Sequence, residues 1–426
     1  MTQLSLLKTR RFLPLFITQF ASAFNDNLFK NALVTLVTFR LAEEHGLDSG
    51  MLITAVSGIY ILPYIPFSSL AGRLADKFEK SALIRRIRGS EVLIMCGAAA
   101  ALIAENLWLL VLSLFLVSTK STFFGPLKFS ILPQHLREEE LVAGNGLVSA
   151  GTNIAIITGT LFGGLFILSS RGSLKISAGI IGVALVGYIS SRFIPRAEAA
   201  APSLAIDGGL LRSTCEMLSY PLSNKNIFLS ILGICWFYFF GSVFLTQLPT
   251  FTKFSMGGNE QVSTFFLVVF SLGVGAGSVL CNRLLKGRVS GRYLAFSLIE
   301  MSVFIVALYL LSLGVRRGSA LLSLGKFLSQ PLSFGIIFSM LMAAAGGGLY
   351  SVPVYAMLQK MTPPTHMSRV IASLNVMTSL AMVAAAAMSA AMLSAGLPVT
   401  AIFLALAALN ILMIPLANKI KRGSDE

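Results

Sequence analysis

Continuous apolar runs, each long enough to cross a hydrocarbon core, recur from one end of this chain to the other. A core about 30 Å thick takes about 20 helical residues. The runs are unbroken, without the two-residue rhythm of a membrane β-barrel. They predict twelve spans, at residues 12–40, 50–74, 88–104, 107–132, 141–168, 173–194, 226–250, 259–284, 292–314, 328–357, 369–394 and 397–418. The longest break, over 195–225, holds "IPRAEAAAPSLAIDGG", rich in Ala, Pro and Gly, and reads as a linker. The predicted fold is an all-α membrane protein with 12 transmembrane helices in two six-helix halves, 1–194 and 226–426. Lys8, Arg10 and Arg11 before "FLPLFITQFASAF" imitate a secretory leader, with Ala21-Ser22-Ala23 as its cleavage site. The apolar run resumes at Leu28 and continues to Phe39, so the segment reads as a retained first helix.

Composition agrees with this pattern. The 426 residues are 55% hydrophobic and 12% charged, with a mean hydropathy of +0.80, too little charge for a soluble chain of this length. The net charge of +15 reads as basic inner loops rather than a nucleic-acid surface. Of the 33 lysines and arginines, 23 fall in alternate segments that include both termini, and 7 in the others. That bias puts both termini in the cytoplasm of a multi-pass protein of the bacterial inner membrane. The outer loop with Arg316 and Arg317 goes against the rule. Cys96, Cys215, Cys235 and Cys281 are scattered and suggest neither disulfide nor metal. No acyltransferase, Walker or dinucleotide pattern accompanies the three histidines, so no catalytic residue, cofactor or metal is assigned and the chain reads as no enzyme.

The halves echo each other. "FGPLKFSILPQ" and then "AGNGL" in spans four and five answer "YSVPVYAMLQ" and then "IASLN" in spans ten and eleven, with Pro126 matching Pro353 and Asn145 matching Asn375. Two six-helix halves related by an axis along the membrane normal are the arrangement of the major facilitator superfamily. The loop "GRLADKFEKS" resembles that superfamily's signature loop. Gly72, Leu74, Asp76, Lys77 and Lys80 match it, whereas Glu79 stands where a second glycine is usual and Ser81 replaces a basic residue. The resemblance makes Gly72, Asp76, Lys77 and Lys80 a gating latch. The turn at Gly72 leaves Asp76 able to meet basic groups or a helix N-terminus. The second-half counterpart, "GSVLCNRLLKGR", lacks the aspartate. Gly159 and Gly163 in span five, and Gly273 and Gly277 in span eight, have the spacing that permits close backbone approach in lipid. The resemblance sets these helices face to face across the halves, making the glycines a sliding seam; a crowded helix would use them equally well.

The polar groups that lipid should exclude come next. Asn25, Asp26, Asn27 and Lys30 lie in span one, and Lys120 and Lys128 in span four. Charges at this depth face a cavity or one another. Asp26 and Lys30, four apart on one helical face, are suited to pair. In the superfamily, spans one, four, seven and ten line the central cavity, which would gather these charges with Gln247 of span seven and Tyr355 of span ten. A structural Asp26–Lys30 pair, with the other lysines reaching toward the surface, is the competing account. Glu300 in span nine belongs to a peripheral helix by the resemblance and is left out.

"QFASAFNDNLFKNALV", "FGPLKFSILPQHL" and "SVPVYAMLQKMTPP" resemble the lysophospholipid transporters of the LplT type. The likeness is closest to the transporter domain of bifunctional bacterial acyltransferase fusions and covers nearly the whole chain. The basic residue that such sequences often carry in span seven is missing from "ICWFYFFGSVFLTQLPTF". The resemblance implies a lysophospholipid substrate, moved from outer to inner leaflet for re-acylation. The phosphate would go to Lys30, Lys120 or Lys128, the ethanolamine or glycerol of the head group to Asn25, Asp26 or Asn27, and the acyl chain to aromatics and methionines among the membrane lipids. Two other readings stand beside it: a proton-coupled carrier of another amphipathic solute with Asp26 as proton carrier, and a non-transporting membrane partner of a separate acyltransferase.

Overall fold

A computed structural model describes residues 3–41, 56, 58–204, 210–315 and 321–425. The start of the second predicted span, and Arg316 and Arg317, lie outside these residues. The first six helices are α1 (Leu13–Leu36), α2 (Tyr64–Lys77), α3 (Lys80–Ile103), α4 (Leu107–Ser130), α5 (Glu138–Ile167) and α6 (Gly172–Ser191). A further helix, α7 (Leu210–Ser223), precedes α8 (Lys225–Phe254), α9 (Glu260–Leu285), α10 (Leu294–Leu313), α11 (Pro331–Met361), α12 (Met367–Ser394), α13 (Val399–Leu412) and α14 (Ile414–Asp425). The helices are consistent with the predicted spans, the second of which is met only in its later part by α2. Among the described residues, nine helices are long and apolar enough to cross a membrane. The three remaining spans are represented by α1, α2 and α3, which carry much of the polar chemistry. The helix starts are locally encoded. Asn106 accepts from Leu109 N at 3.0 Å, Asn224 from Ile227 N at 3.3 Å, and Asn259 from Gln261 N at 3.0 Å, each satisfying amides that the first turn leaves unbonded.

The described chain divides into two compact units. The first holds residues 1–137, 154–223 and 362–376, and the second 138–153, 224–361 and 377–426. Helices α5 and α12 therefore each contribute to both. In the first unit, α6 packs on α1 and α3, and α4 on α2 and α3. Their shared core includes Phe29, Leu33, Ala98, Leu102, Leu114, Val117 and Ile180, all fully or nearly fully buried. In the second unit α11 is central, packed by α8, α9 and α10. Aromatic rings fill its core: Phe403 lies 5.0 Å from both Phe244 and Phe251 between ring centroids. Such edge and tilted contacts add about 0.5–1.5 kcal/mol each beyond area burial.

The first residues of the linker expected over 195–225 are hydrogen-bonded to the first unit's helices. Ser81 Oγ donates to Pro195 O at 2.5 Å, Lys80 N to Ala197 O at 3.0 Å, and Ala201 N to Asp76 O at 2.8 Å. Residues 195–201 thus form a strap across the α2–α3 turn. Helix α7 was missed because its 14 residues read as mixed and weakly apolar. Its Met217 packs on Ala372 and Val376, and Tyr220 stacks on His366 with centroids 4.1 Å apart.

Candidate functional site

The first unit encloses a knot of charge. Lys120 Nζ on α4 meets Asp26 Oδ1 on α1 at 2.7 Å, and Ser121 Oγ donates to Asp26 Oδ2 at 2.6 Å. Lys120 also donates to Ser22 Oγ at 3.1 Å and stands 3.4 Å from Glu91 Oε1 on α3. Asn25 Nδ2 donates to Ile180 O at 3.1 Å and reaches Glu91 Oε1 at 3.4 Å. Glu91 in turn pairs with Arg88, and neither side chain is exposed at all. Two carboxylates thus face two cations across three helices. Burial of any one alone would be costly, and mutual pairing offsets that cost. The guanidinium of Arg88 lies where a side chain at Gly187 would stand, so the glycine on α6 makes room for it.

This arrangement redistributes the predicted roles. The partner of Asp26 is Lys120, not Lys30. Lys30 Nζ lies 5.1 Å from the centroid of the Tyr60 ring, and Lys128 Nζ lies 4.8 Å from that of Phe129. Both are cation–π distances. Lys120 donates to Asp26 and Ser22 and stands in ion-pair range of Glu91, whereas Lys30 and Lys128 make no ion pair or hydrogen bond among the described residues. The triplet Asn25-Asp26-Asn27 does not act as one group, because successive residues point about 100° apart at 3.6 residues per turn. Asn25 turns to α3 and α6, Asp26 to α4, and Asn27 donates to Ala23 O of its own helix at 2.8 Å. In the second unit, Gln247 on α8 is buried with its Oε1 unbonded among the described residues, and Tyr355 on α11 donates to Tyr238 Oη at 3.3 Å.

Arg88 and Glu91 were missed. Arg88 reads as the last charge of a basic loop, but its three-residue spacing from Glu91, with an apolar run following, was a signal for a paired helical face.

The gating residues are more local. Asp76 accepts from Ser368 N at 3.0 Å, Arg369 N at 3.3 Å and Arg369 Nε at 3.1 Å. It therefore caps the start of α12 and binds its guanidinium together. Gly72 allows the approach: a side-chain carbon there would lie 2.7 Å from Ala372 Cβ and 3.1 Å from Ser368 O. Lys77 only overlies Phe78, with Nζ 6.0 Å from the ring centroid. Lys80 is fully buried, with Nζ unbonded among the described residues. Glu79, the departure from the signature loop, caps α3 by accepting from Ser81 N at 3.1 Å and Ala82 N at 3.0 Å. It also accepts from Ala197 N at 3.1 Å. Burial pulls its carboxyl upward, but the hydrogen bonds from Ala197 and Ser81, then the charge of Arg85 and the Ala82 amide, outweigh burial and hold it below the usual carboxylate range.

The glycine seam is corrected. A side chain at Gly159 would meet the backbone of Phe24 and Leu28, and one at Gly163 would lie 2.6 Å from Leu28 O. These glycines seat α5 on α1. Gly273 and Gly277 seat α9 on α11, against Leu341, Ala344 and Ala345. Helices α5 and α9 do meet, through a different face: a side chain at Gly275 would stand 3.8 Å from Ala150, and Ser149 Oγ lies 3.0 Å from Ser278 Oγ. The spacing signals a close approach without naming the neighbour.

A family model described as Major Facilitator Superfamily matches residues 15–334. A lysophospholipid transporter LplT of Cronobacter sakazakii is 24% identical over 358 residues, covering 83% of this chain and 81% of the relative. An LplT of Photorhabdus laumondii subsp. laumondii is 25% identical, over 76% of this chain and 81% of the relative. An LplT of Pectobacterium carotovorum subsp. carotovorum is 30% identical, over 46% of this chain and 45% of the relative. Among solved structures, the human organic anion transporter MFSD10 (TETRAN) superposes with a TM-score of 0.74 at 11% identity, covering 96% of this chain and 99% of that one. The Escherichia coli fucose:proton symporter FucP gives 0.70 at 13% identity, covering 96% and 98%. At these identities the structural likeness speaks for the fold alone.

Proposed function

The chain belongs to the Major Facilitator Superfamily, and on that premise we propose that it carries lysophospholipids across the bacterial inner membrane, with both termini in the cytoplasm. The observation that carries this reading is the pair of ammonium groups at Lys30 and Lys128. Both are partly buried, and neither is bound to an anion among the described residues. A lysophospholipid brings one phosphate and one acyl chain, and the phosphate suits these two lysines. Lys120 is the anchor of Asp26 instead, and its ammonium group is already paired with Asp26 and Glu91. Asp26 has both oxygens occupied, by Lys120 and Ser121, an arrangement that favours ion-pair anchoring over proton carriage. The names of the relatives support the same cargo.

The acyl chain sets a further condition. Each methylene resists transfer into water by about 0.8 kcal/mol. The head group therefore crosses a polar path while the tail stays in apolar surroundings, and the product is delivered for re-acylation by a separate acyltransferase. The test is uptake of labelled lysophosphatidylethanolamine by the purified protein in liposomes. Lys30→Ala and Lys128→Ala should each raise KM roughly tenfold or more, since a hydrogen bond to a charged group is worth about 1.5–3 kcal/mol. Unchanged KM in both variants would overturn the assignment of the phosphate.

A further inference from the structure

Helix α10 carries a single charged residue, Glu300, in twenty otherwise uncharged positions. Both of its carboxyl oxygens are buried and have no hydrogen-bond partner among the described residues. Oε2 occupies the space that a side chain at Gly346 on α11 would need, and Met301 closes the same gap. Gly346 opens a run of three glycines. Gly347 faces Phe237 on α8, at 3.2 Å from where its side chain would be, and Gly348 faces the amide of Ser278 on α9, at 2.6 Å. Helix α11 is therefore approached at backbone level from three sides within one turn, and Glu300 lies on one of those sides.

Among the described residues no counter-charge pairs with it. Of the elements packed on α10, α11 offers Tyr350, one turn beyond Gly346, whose hydroxyl is also unbonded among the described residues. Lys360 at the far end of α11 is paired with Glu138. Helix α13 has no titratable side chain. Helix α14 brings Lys419, Lys421 and Arg422, of which Lys421 abuts Gly291, nine positions before Glu300. Tyr293 and Tyr309 are the titratable neighbours in sequence. An ionised carboxylate so placed is closed off from solvent and has no partner among the described residues, a state that proteins avoid by neutralising the group.

We propose that Glu300 is a proton-binding site. It holds a proton while α10 is seated on the glycine run of α11, and releases it to water when that seating loosens. Only the carboxyl O–H bond forms and breaks. The coupling of this proton to transport rests on the function proposed above; the protonation itself does not.

Two measurements on the purified chain in liposomes separate these. Infrared difference spectroscopy at neutral pH should show a protonated-carboxyl stretch that is lost in Glu300→Gln, and Glu300→Asp should shift that band. The same band in wild type and Glu300→Gln would overturn the site. Uptake of lysophosphatidylethanolamine should respond to an imposed pH gradient in wild type and lose that response in Glu300→Gln. An equal response in both, or none in wild type, would overturn the coupling. Absence of lysolipid uptake with the infrared band intact would instead remove the cargo reading and leave the proton site standing.

Discussion

Helices α4 and α10 each bury a charged side chain in an apolar stretch, and they treat it in opposite ways. Lys120 on α4 is met by two carboxylates and a hydroxyl from α1 and α3. Glu300 on α10 is met by a glycine gap and a methionine. The first solution keeps the charge and makes four residues depend on one another. The second removes the charge and makes one residue depend on pH. Neither is visible from hydropathy, which treats both as a blemish in an apolar run.

The comparison breaks most sharply at the knot. Arg88→Met alone leaves Glu91 facing its neighbours without its nearest cation, and should destabilise the protein by about 3–5 kcal/mol. Arg88→Met with Glu91→Gln should recover most of that, because the pair is removed together. Thermal unfolding in detergent reads both, and a single variant as stable as wild type would contradict the pairing account. The glycine contacts come next. Gly277→Leu drives a side chain into Ala345 of its own unit and should cost about 1–3 kcal/mol or more, seen as lost folded yield. Gly275→Ala should be tolerated, since the nearest atoms stand at 3.8 Å. Equal yields would return these glycines to a role in motion alone.

Asp76→Asn keeps the shape of the α12 cap but loses the charge facing Arg369. It should cost about 1 kcal/mol and slow turnover more than it raises KM, because a contact made in one conformer biases the equilibrium between conformers. A change in KM alone would sink that idea. The smallest effect is expected at Glu79. Its folded carboxyl is held below the usual range, so its contribution to stability is full above the unfolded value, about 4.3. That contribution fades as pH falls through the folded value. Glu79→Gln should flatten the acid side of the unfolding profile by less than the roughly 0.5–2 kcal/mol typical of a lost cap. An unchanged profile would show that the strap contact is not felt.

Hydropathy alone determined that the chain is a stack of membrane-length helices, because a backbone in lipid must satisfy its own hydrogen bonds and twenty apolar residues leave few ways to do so. It also exposed Asp26, Lys30, Lys120 and Lys128 as anomalies, since charge in such a run is rare enough to carry meaning. What remained hidden was partnership. Helical spacing says which residues share a face, and so offered Lys30 to Asp26, but it cannot say which neighbouring helix supplies a nearer cation. Arg88 and Glu91 sat at the very start of a predicted span, where Arg88 counts with the preceding basic loop, and only the packing of α3 against α4 and α6 turned them into the centre of the knot. Gly159 and Gly163 announced a close approach, and only the fold chose α1 for it. Glu300 was set aside as peripheral, and only the gap at Gly346 showed its oxygens shut away from every partner described. Partners of this kind are fixed by contacts far apart in the chain, whose energies come from burial and pairing that exist only once the helices have met.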